Sequence, residues 1–214
     1  MTSAHRLTDQ LITTEAQLRE LIGTPLPQTC LKITDRLNPQ TRVFIERSPF
    51  VCLATADVQQ HCDLSPRGDP AGFVRILDVR TLLIPDRPGN RLADTLRNIL
   101  ANPHIGLLFI VPGVTDTFRV NGRATLTTDA ALLAPCAVEG KPPKLGILVD
   151  IDEAYTQCSK AFIRSSLWDP QRFVDPASMP TGGQVLRAIQ GDAIDAEAYD
   201  RERAERYRQR VGFY

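Results

Sequence analysis

A series of short apolar runs beginning at Phe50, each ended by turn residues, limits most what this chain can fold into. The runs are FVCLATA at 50–56, FVRIL at 73–77, TLLI at 81–84, IGLLFIV at 105–111, TFRVNGRATL at 117–126 and KLGILVDI at 144–151. Runs of this length, rich in β-branched and aromatic residues and bounded by Gly, Pro, Asn and Asp, read as strands. One segment breaks the series. NRLADTLRNILANP at 90–103 puts Leu92, Leu96, Ile99 and Leu100 at helical spacing, with Asn90 placed to cap the helix and Pro103 to stop it. Strands on both sides of a single short helix argue against a doubly wound parallel sheet, in which strands and helices alternate. The expectation is a mainly β chain with peripheral helices, its sheet curled or closed into a barrel.

The flanks are simpler. Residues 13–22 form an amphipathic helical pattern with Leu11, Leu18, Leu21 and Ile22 on one side, followed by a loop punctuated by Pro25, Pro27 and Pro39. Past residue 151 a mostly helical stretch is expected around Ala154, Tyr155, Cys158 and Phe162, then a Pro-rich connection at 170–183 and a solvated or frayed helix at 196–210. The expected organisation is an N-terminal extension at 1–42, a core at 43–170 and a C-terminal extension at 171–214 that belongs to the same single domain. At 214 residues and 43% hydrophobic content there is material for one core.

Several function classes are set aside at this point. Basic and acidic groups balance at 25 each, which leaves no broad field for nucleic acid or an anionic membrane, and neither is expected as a partner. No apolar run is long enough to span a bilayer and no leader-like segment opens the sequence, so a soluble cytoplasmic chain is expected. Five cysteines without CxxC spacing and three histidines, His5, His61 and His104, without ligand spacing suggest reduced thiols and no metal site. Neither GxGxxG nor GxxxxGK[ST] occurs.

Three clusters carry candidate chemistry. In DLSPRGDPAG at 63–72, Ser65, Arg67 and Gly68 can present a hydroxyl, a guanidinium and backbone N–H groups to one anion; the plain alternative is a turn in which Arg67 pairs with Asp63 or Asp69. In IPDRPGNR at 84–91, Arg87 and Arg91 bracket the start of the helix, where free N–H groups and the dipole favour a phosphate; the alternative is Asp86 neutralising Arg87. In TQCSKAFIRSSLWDP at 156–170, Lys160 and Arg164 are four apart on one helical face and Trp168, the only tryptophan, lies four further on. That face could grip a phosphorylated aromatic ligand or pack across an interface, and Trp168 could equally be a buried anchor. No acid, base or nucleophile stands out, so catalytic residues stay unassigned and an organic cofactor is the economical carrier of any chemistry. The basic side is lopsided, with 21 Arg against four Lys, at Lys32, Lys141, Lys144 and Lys160.

The phrases DLSPRGDPAGFVRIL, LLIPDRPGNRLADTLRNILANPHIGLLFIVPG, TFRVNGRATLTTD and CSKAFIRSSLWDP, in this order between Phe50 and Pro170, resemble the pyridoxamine 5'-phosphate oxidase-like flavoproteins of the FMN-binding split barrel, in particular a bacterial branch of FMN-dependent enzymes. The resemblance implies a six-stranded split barrel and a homodimer with FMN sites between the protomers. It implies phosphate binding at Ile84–Arg91, with Asn90 and Arg91 standing for the family's Ser and Arg. Leu92 replaces a frequent Lys, a lost cation that Arg67 or Arg87 would supply. Backbone around Phe73–Leu77, including Val74 and Arg75, and around Ile84, Pro85 and Asp86 would approach the flavin ring, while Lys160, Arg164 and Trp168 would reach it from the partner chain. The implied activity is hydride transfer between flavin N5 and a small organic substrate. The C-terminal Arg and His pattern of true pyridoxamine phosphate oxidases is absent, so that particular activity is not expected. F420 or haem in place of FMN, and a flavin- or haem-binding module or sensor without turnover, are the alternatives of the same fold.

Overall fold

The computed structural model describes residues 11–214, which fall into two compact units divided after Ile33. His5 and the first ten residues of the expected N-terminal extension lie outside the described residues. In the first unit, α1 (Glu15–Ile22) begins at a capping box: Gln17 N donates to Thr14 Oγ1 at 3.3 Å, and Thr14 N to Gln17 Oε1 at 3.2 Å. The expected proline loop is in part helical, because a proline at the first position of a helix costs it no hydrogen bond. Pro27 opens α2 (Pro27–Leu31) here, and in the second unit Pro39 opens α3 (Pro39–Arg47), capped by Asn38.

The second unit, Thr34–Tyr214, is built on one antiparallel sheet of β1 (Phe50–Ala56), β2 (Cys62–Gly68), β3 (Arg75–Ile76), β4 (Thr81–Pro85), β5 (His104–Ile110), β6 (Thr117–Thr127) and β7 (Gly146–Gln157). The order is β2-β1-β5-β6-β7-β4-β3, so the edge strands β2 and β3 do not pair and the sheet stays open. This is the mainly β architecture with peripheral helices that the strand series implies and the split barrel that the resemblance implies, with seven strands instead of six. The extra strand is β2, which was read as a turn. The run at 73–77 pairs only at Arg75–Ile76, and the strand at 144–151 continues to Gln157 instead of giving way to helix.

Alternation of side chains along the strands builds the core. Val51 and Leu53 of β1, Leu107 and Phe109 of β5, Phe118 and Val120 of β6, and Ile147 and Val149 of β7 are at most 1% exposed. Each such side chain contributes about 1.5–3 kcal/mol by burial. Phe118 is the hub, 5.8 Å from the ring of Phe44 on α3 and 6.2 Å from Phe109. The buried positions of β7 change parity, from Ile147, Val149 and Ile151 to Ala154, because Asn121 faces Glu153 while Gly122 faces Ile151, leaving Asp152 as the extra residue of a bulge. On the other face of β4, Leu83 packs with Leu133 of α5 (Ala130–Leu133) and with Cys136, forming a second small core.

Helix α4 (Asp94–Ala101) buries Thr95 and Ile99 and packs Leu96, whereas Leu92 and Leu100 are exposed. After β7 come α6 (Lys160–Ser165), α7 (Gly182–Gln190) and α8 (Ala196–Arg208). Gly183 N donates to Asp200 Oδ1 at 2.8 Å and joins α7 to α8. Among the described residues no helix is long and apolar enough to cross a membrane.

Candidate functional site

The first two sequence clusters meet where the sheet fails to close. Pro66 and Gly68 are tolerated in β2 because it is an edge strand, paired only with β1. Strand alternation turns Asp63, Ser65 and Arg67 to the half-buried side and leaves Leu64 69% exposed on the other. Ser65 Oγ lies 2.9 Å from Thr95 Oγ1 in the first turn of α4, and that threonine donates to Asp63 Oδ2 at 2.8 Å. The hydroxyl offered to a ligand in the sequence reading thus fastens β2 to α4. Thr95→Val removes a buried donor and leaves Asp63 short of one partner; an expected loss of about 1–3 kcal/mol is read from a urea melt.

Across the opening, β3 ends opposite Leu83, so the edge of β4 at Ile84 and Pro85 has no strand on its outer side. Ile84 and Val74 have their side chains in the core, and Pro85 is buried, so these positions can offer a ligand backbone alone. Asp86 N already donates to Leu145 O at 2.9 Å. Burial pushes the Asp86 carboxyl above the usual carboxylate range, while the Arg67 guanidinium facing it works in the opposite direction. Arg67 Nη1 donates to Pro66 O at 3.1 Å, and its buried Nε has no hydrogen-bond partner.

Arg87 pairs with Asp69 and not with the neighbouring Asp86. Its Nε donates to Asp69 Oδ2 at 2.6 Å and its Nη2 to Cys136 O at 2.8 Å, with side chains 16% exposed for Arg87 and 1% for Asp69. Tyr214 O–H donates to the other Asp69 oxygen at 2.7 Å, and its ring lies 5.2 Å from the Arg87 guanidinium. Asp69 therefore neutralises Arg87 rather than Arg67, and Asp86 faces Arg67 rather than Arg87. Burial raises the Cys136 thiol above its ordinary value. Arg75 is exposed on β3 and shares with Arg87 and Cys136 a cleft of about 140 Å³.

The turn into α4 differs from expectation. Arg91 and Ala93 adopt left-handed backbone at φ 66° and 58°, and the helix starts only at Asp94, with Ala93 at its cap position and no side chain capping it. Asn90 closes a local turn, its Oδ1 accepting from Leu92 N at 3.0 Å. Arg91 is exposed and has no ion pair among the described residues.

The third cluster spans α6 and the turn that follows it. Lys160 and Arg164 are on α6, exposed and without ion pairs among the described residues. Ser166 turns left-handed and ends the helix, so Trp168 does not continue their face. Its indole N–H donates to Val114 O at 2.9 Å and its ring packs on Phe162 at 5.7 Å, the anchoring role. Phe162 lines a separate cavity of about 480 Å³ with Cys52, Leu64, Leu108 and Arg119 on the outer side of the sheet.

Beside the seam, Asp86, Arg87 and Pro88 share a cavity of about 510 Å³ with residues 141–145 and Tyr214. Asp69, Thr95 and Tyr214 were not among the expected site residues. The period-2 pattern of Asp63, Ser65 and Arg67 was the available signal for β2, whereas a contact between residues 145 positions apart, Tyr214 to Asp69, leaves no mark on a sequence.

The family model for pyridoxamine 5'-phosphate oxidase matches residues 37–158, more than half of the chain. The chain belongs to the pyridoxamine 5'-phosphate oxidase family. The matched span of this family member contains all seven strands and both seam clusters, and ends just before α6. No curated protein matches the chain. Among solved structures it is similar to HupZ of Group A Streptococcus, at 17% identity, TM-score 0.47 and coverage of 56% of this chain and 93% of that one. A putative pyridoxamine 5'-phosphate oxidase from Lactobacillus delbrueckii gives 20%, 0.46, and 57% and 95%. A pyridoxamine 5'-phosphate oxidase-related, FMN-binding protein from Nostoc punctiforme gives 15%, 0.40, and 55% and 83%.

Proposed function

We propose that the protein is a flavoprotein oxidoreductase that holds FMN by its phosphate at the open seam and acts on a small organic substrate. The observation that carries the reading is unused hydrogen-bond donor capacity gathered at the seam. Arg67 has a buried Nε with no partner, Arg91 has no ion pair among the described residues, and α4 starts with no side chain on its N–H groups. Unsatisfied donors and a positive helix end are what a phosphate dianion requires. In this donor set Arg67, Arg91 and the start of α4 take the phosphate, and Asn90 shapes the turn. Arg87 contributes structure instead, since Asp69 already balances its charge.

FMN, when bound, supplies hydride exchange at its N5 atom. The protein's part is to fix the cofactor, shield it from water and tune it by charge. The free outer edge of β4 at Ile84 and Pro85, and exposed Arg75 on β3, are the groups available beside the ring. Lys160 and Arg164 stand on α6, outside the cavities at the seam, and in this reading they reach the cofactor from a second copy, so the functional unit is a homodimer.

Titration of the full chain with FMN, followed by quenching of flavin fluorescence, tests the reading. Saturable 1:1 binding per chain is expected, weakened at least tenfold by Arg91→Ala with the melting temperature unchanged. Absence of FMN binding to the wild type contradicts the reading, and unchanged affinity in Arg91→Ala removes that residue from the phosphate site.

A further inference from the structure

In a chain with 21 arginines and four lysines, two of the lysines stand three residues apart in Lys141-Pro142-Pro143-Lys144, and both line the cavity beside the seam. The spacing has a conformational consequence. Proline fixes its own φ near −65° and keeps the residue before it extended, so such a segment favours a polyproline helix with three residues per turn. Positions three apart in that helix project to the same side. The segment is also held at both ends: Lys141 N donates to Val138 O at 2.9 Å, and Leu145 O accepts from Asp86 N at 2.9 Å.

The charges of the cavity do not cancel. Arg87 is taken by Asp69, and Asp86 faces Arg67. Neither lysine has an ion pair among the described residues, so two ammonium groups border one cavity against a single carboxylate, that of Asp86. The remaining wall is apolar, made by Pro88, Pro142, Leu145 and the ring of Tyr214, and the volume of about 510 Å³ suits a small organic molecule. Lysine is a compact, rotatable point charge that suits an oxyanion without demanding the planar geometry of a guanidinium fork.

We propose that this cavity is a binding site for a small organic anion, with its acidic group held between Lys141 and Lys144 and its apolar body against the proline and leucine wall. Its assignment as the substrate site rests on the flavoprotein reading above; the anion site itself does not. The substrate class is therefore an organic acid, a carboxylate or a phosphate ester, small enough for one ring or a short chain.

Calorimetric titration of the full chain at low ionic strength, with and without added FMN, tests this with three probes: benzoate, phenyl phosphate and the uncharged benzyl alcohol. At least one anion is expected to bind ten times more tightly than benzyl alcohol, and the pair of anions distinguishes carboxylate from phosphate. The double variant Lys141→Gln/Lys144→Gln is expected to weaken that anion at least tenfold, with unchanged melting temperature and FMN affinity. Both lysines are exposed, so the variant tests binding with the fold intact. The proposal is overturned if neither anion binds, if benzyl alcohol binds equally well, or if the variant binds the anion like the wild type. Equal loss of FMN and anion in the variant also overturns it, since the lysines would then belong to the cofactor site. Anion binding that depends on the lysines in a chain that takes no FMN supports the anion site and removes the flavin reading.

Discussion

Asp69→Ala lowers the melting temperature by on the order of 10 °C in a thermal melt followed by circular dichroism. The carboxylate is 1% exposed and accepts from both Arg87 and Tyr214, and Arg87 is itself 16% exposed. Deleting the acid leaves a guanidinium in a poorly hydrated place with only Cys136 O to bond, which costs about 3–5 kcal/mol. In a domain of this size each kcal/mol moves the midpoint by about 2–4 °C. Asp69→Asn keeps one acceptor oxygen, enough for either the Tyr214 hydroxyl or Arg87, and loses the second acceptor and the charge, so its midpoint lies between those of the wild type and Asp69→Ala. A shift of less than 2 °C for the alanine variant would show that the Arg87–Asp69 pair does not tie the end of β2 to the end of β4.

Gly122→Ala has a comparable or larger effect through a different cause. A β-carbon at this position would stand 2.0 Å from Asp150 O and 3.4 Å from Ile151 Cα, backbone atoms of the paired strand β7. The collision falls at the bulge that resets the parity of β7, so relieving it means parting β6 from β7 where Val120, Ala124, Ile151 and Ala154 are all buried. The expected cost is at least about 3 kcal/mol. A solubility assay and a urea melt measure it, and a variant within 1 kcal/mol of the wild type would show that β6 and β7 part at the bulge without loss of packing.

These two positions also mark what the sequence could and could not reveal. Six strands were legible because apolar runs at 50–56, 81–84 and 105–111 coincide with pairing segments, and pairing follows burial there. β2 was hidden because an edge strand needs only one buried face. Its inward residues are Asp63, Ser65 and Arg67, polar groups satisfied or placed by α4 and β4, so no apolar signal exists. The start of α4 was misread because Asn90 is a good cap by type, while the left-handed backbone at Arg91 and Ala93 delays the helix to Asp94. The two Arg-containing clusters singled out in the sequence come together at the seam, but the acids beside each arginine differ from those expected. Each nearby acid was a plausible neutraliser, and only three-dimensional placement assigns Asp69 to Arg87 and Asp86 to Arg67. Lys160, Arg164 and Trp168 were grouped by helical spacing, which fails because Ser166 ends α6 before the tryptophan.

In the proposed function the seam between β2 and β4 holds the phosphate of a flavin. It is tested most directly by the visible spectrum of freshly purified protein, with mass spectrometry of any ligand released on denaturation. The expected result is a flavin spectrum, after FMN reconstitution if the protein is isolated without cofactor, and a released mass equal to that of FMN, with occupancy falling sharply in Arg67→Ala and Arg91→Ala. A released haem or F420, or a colourless protein that takes up no FMN, would contradict it.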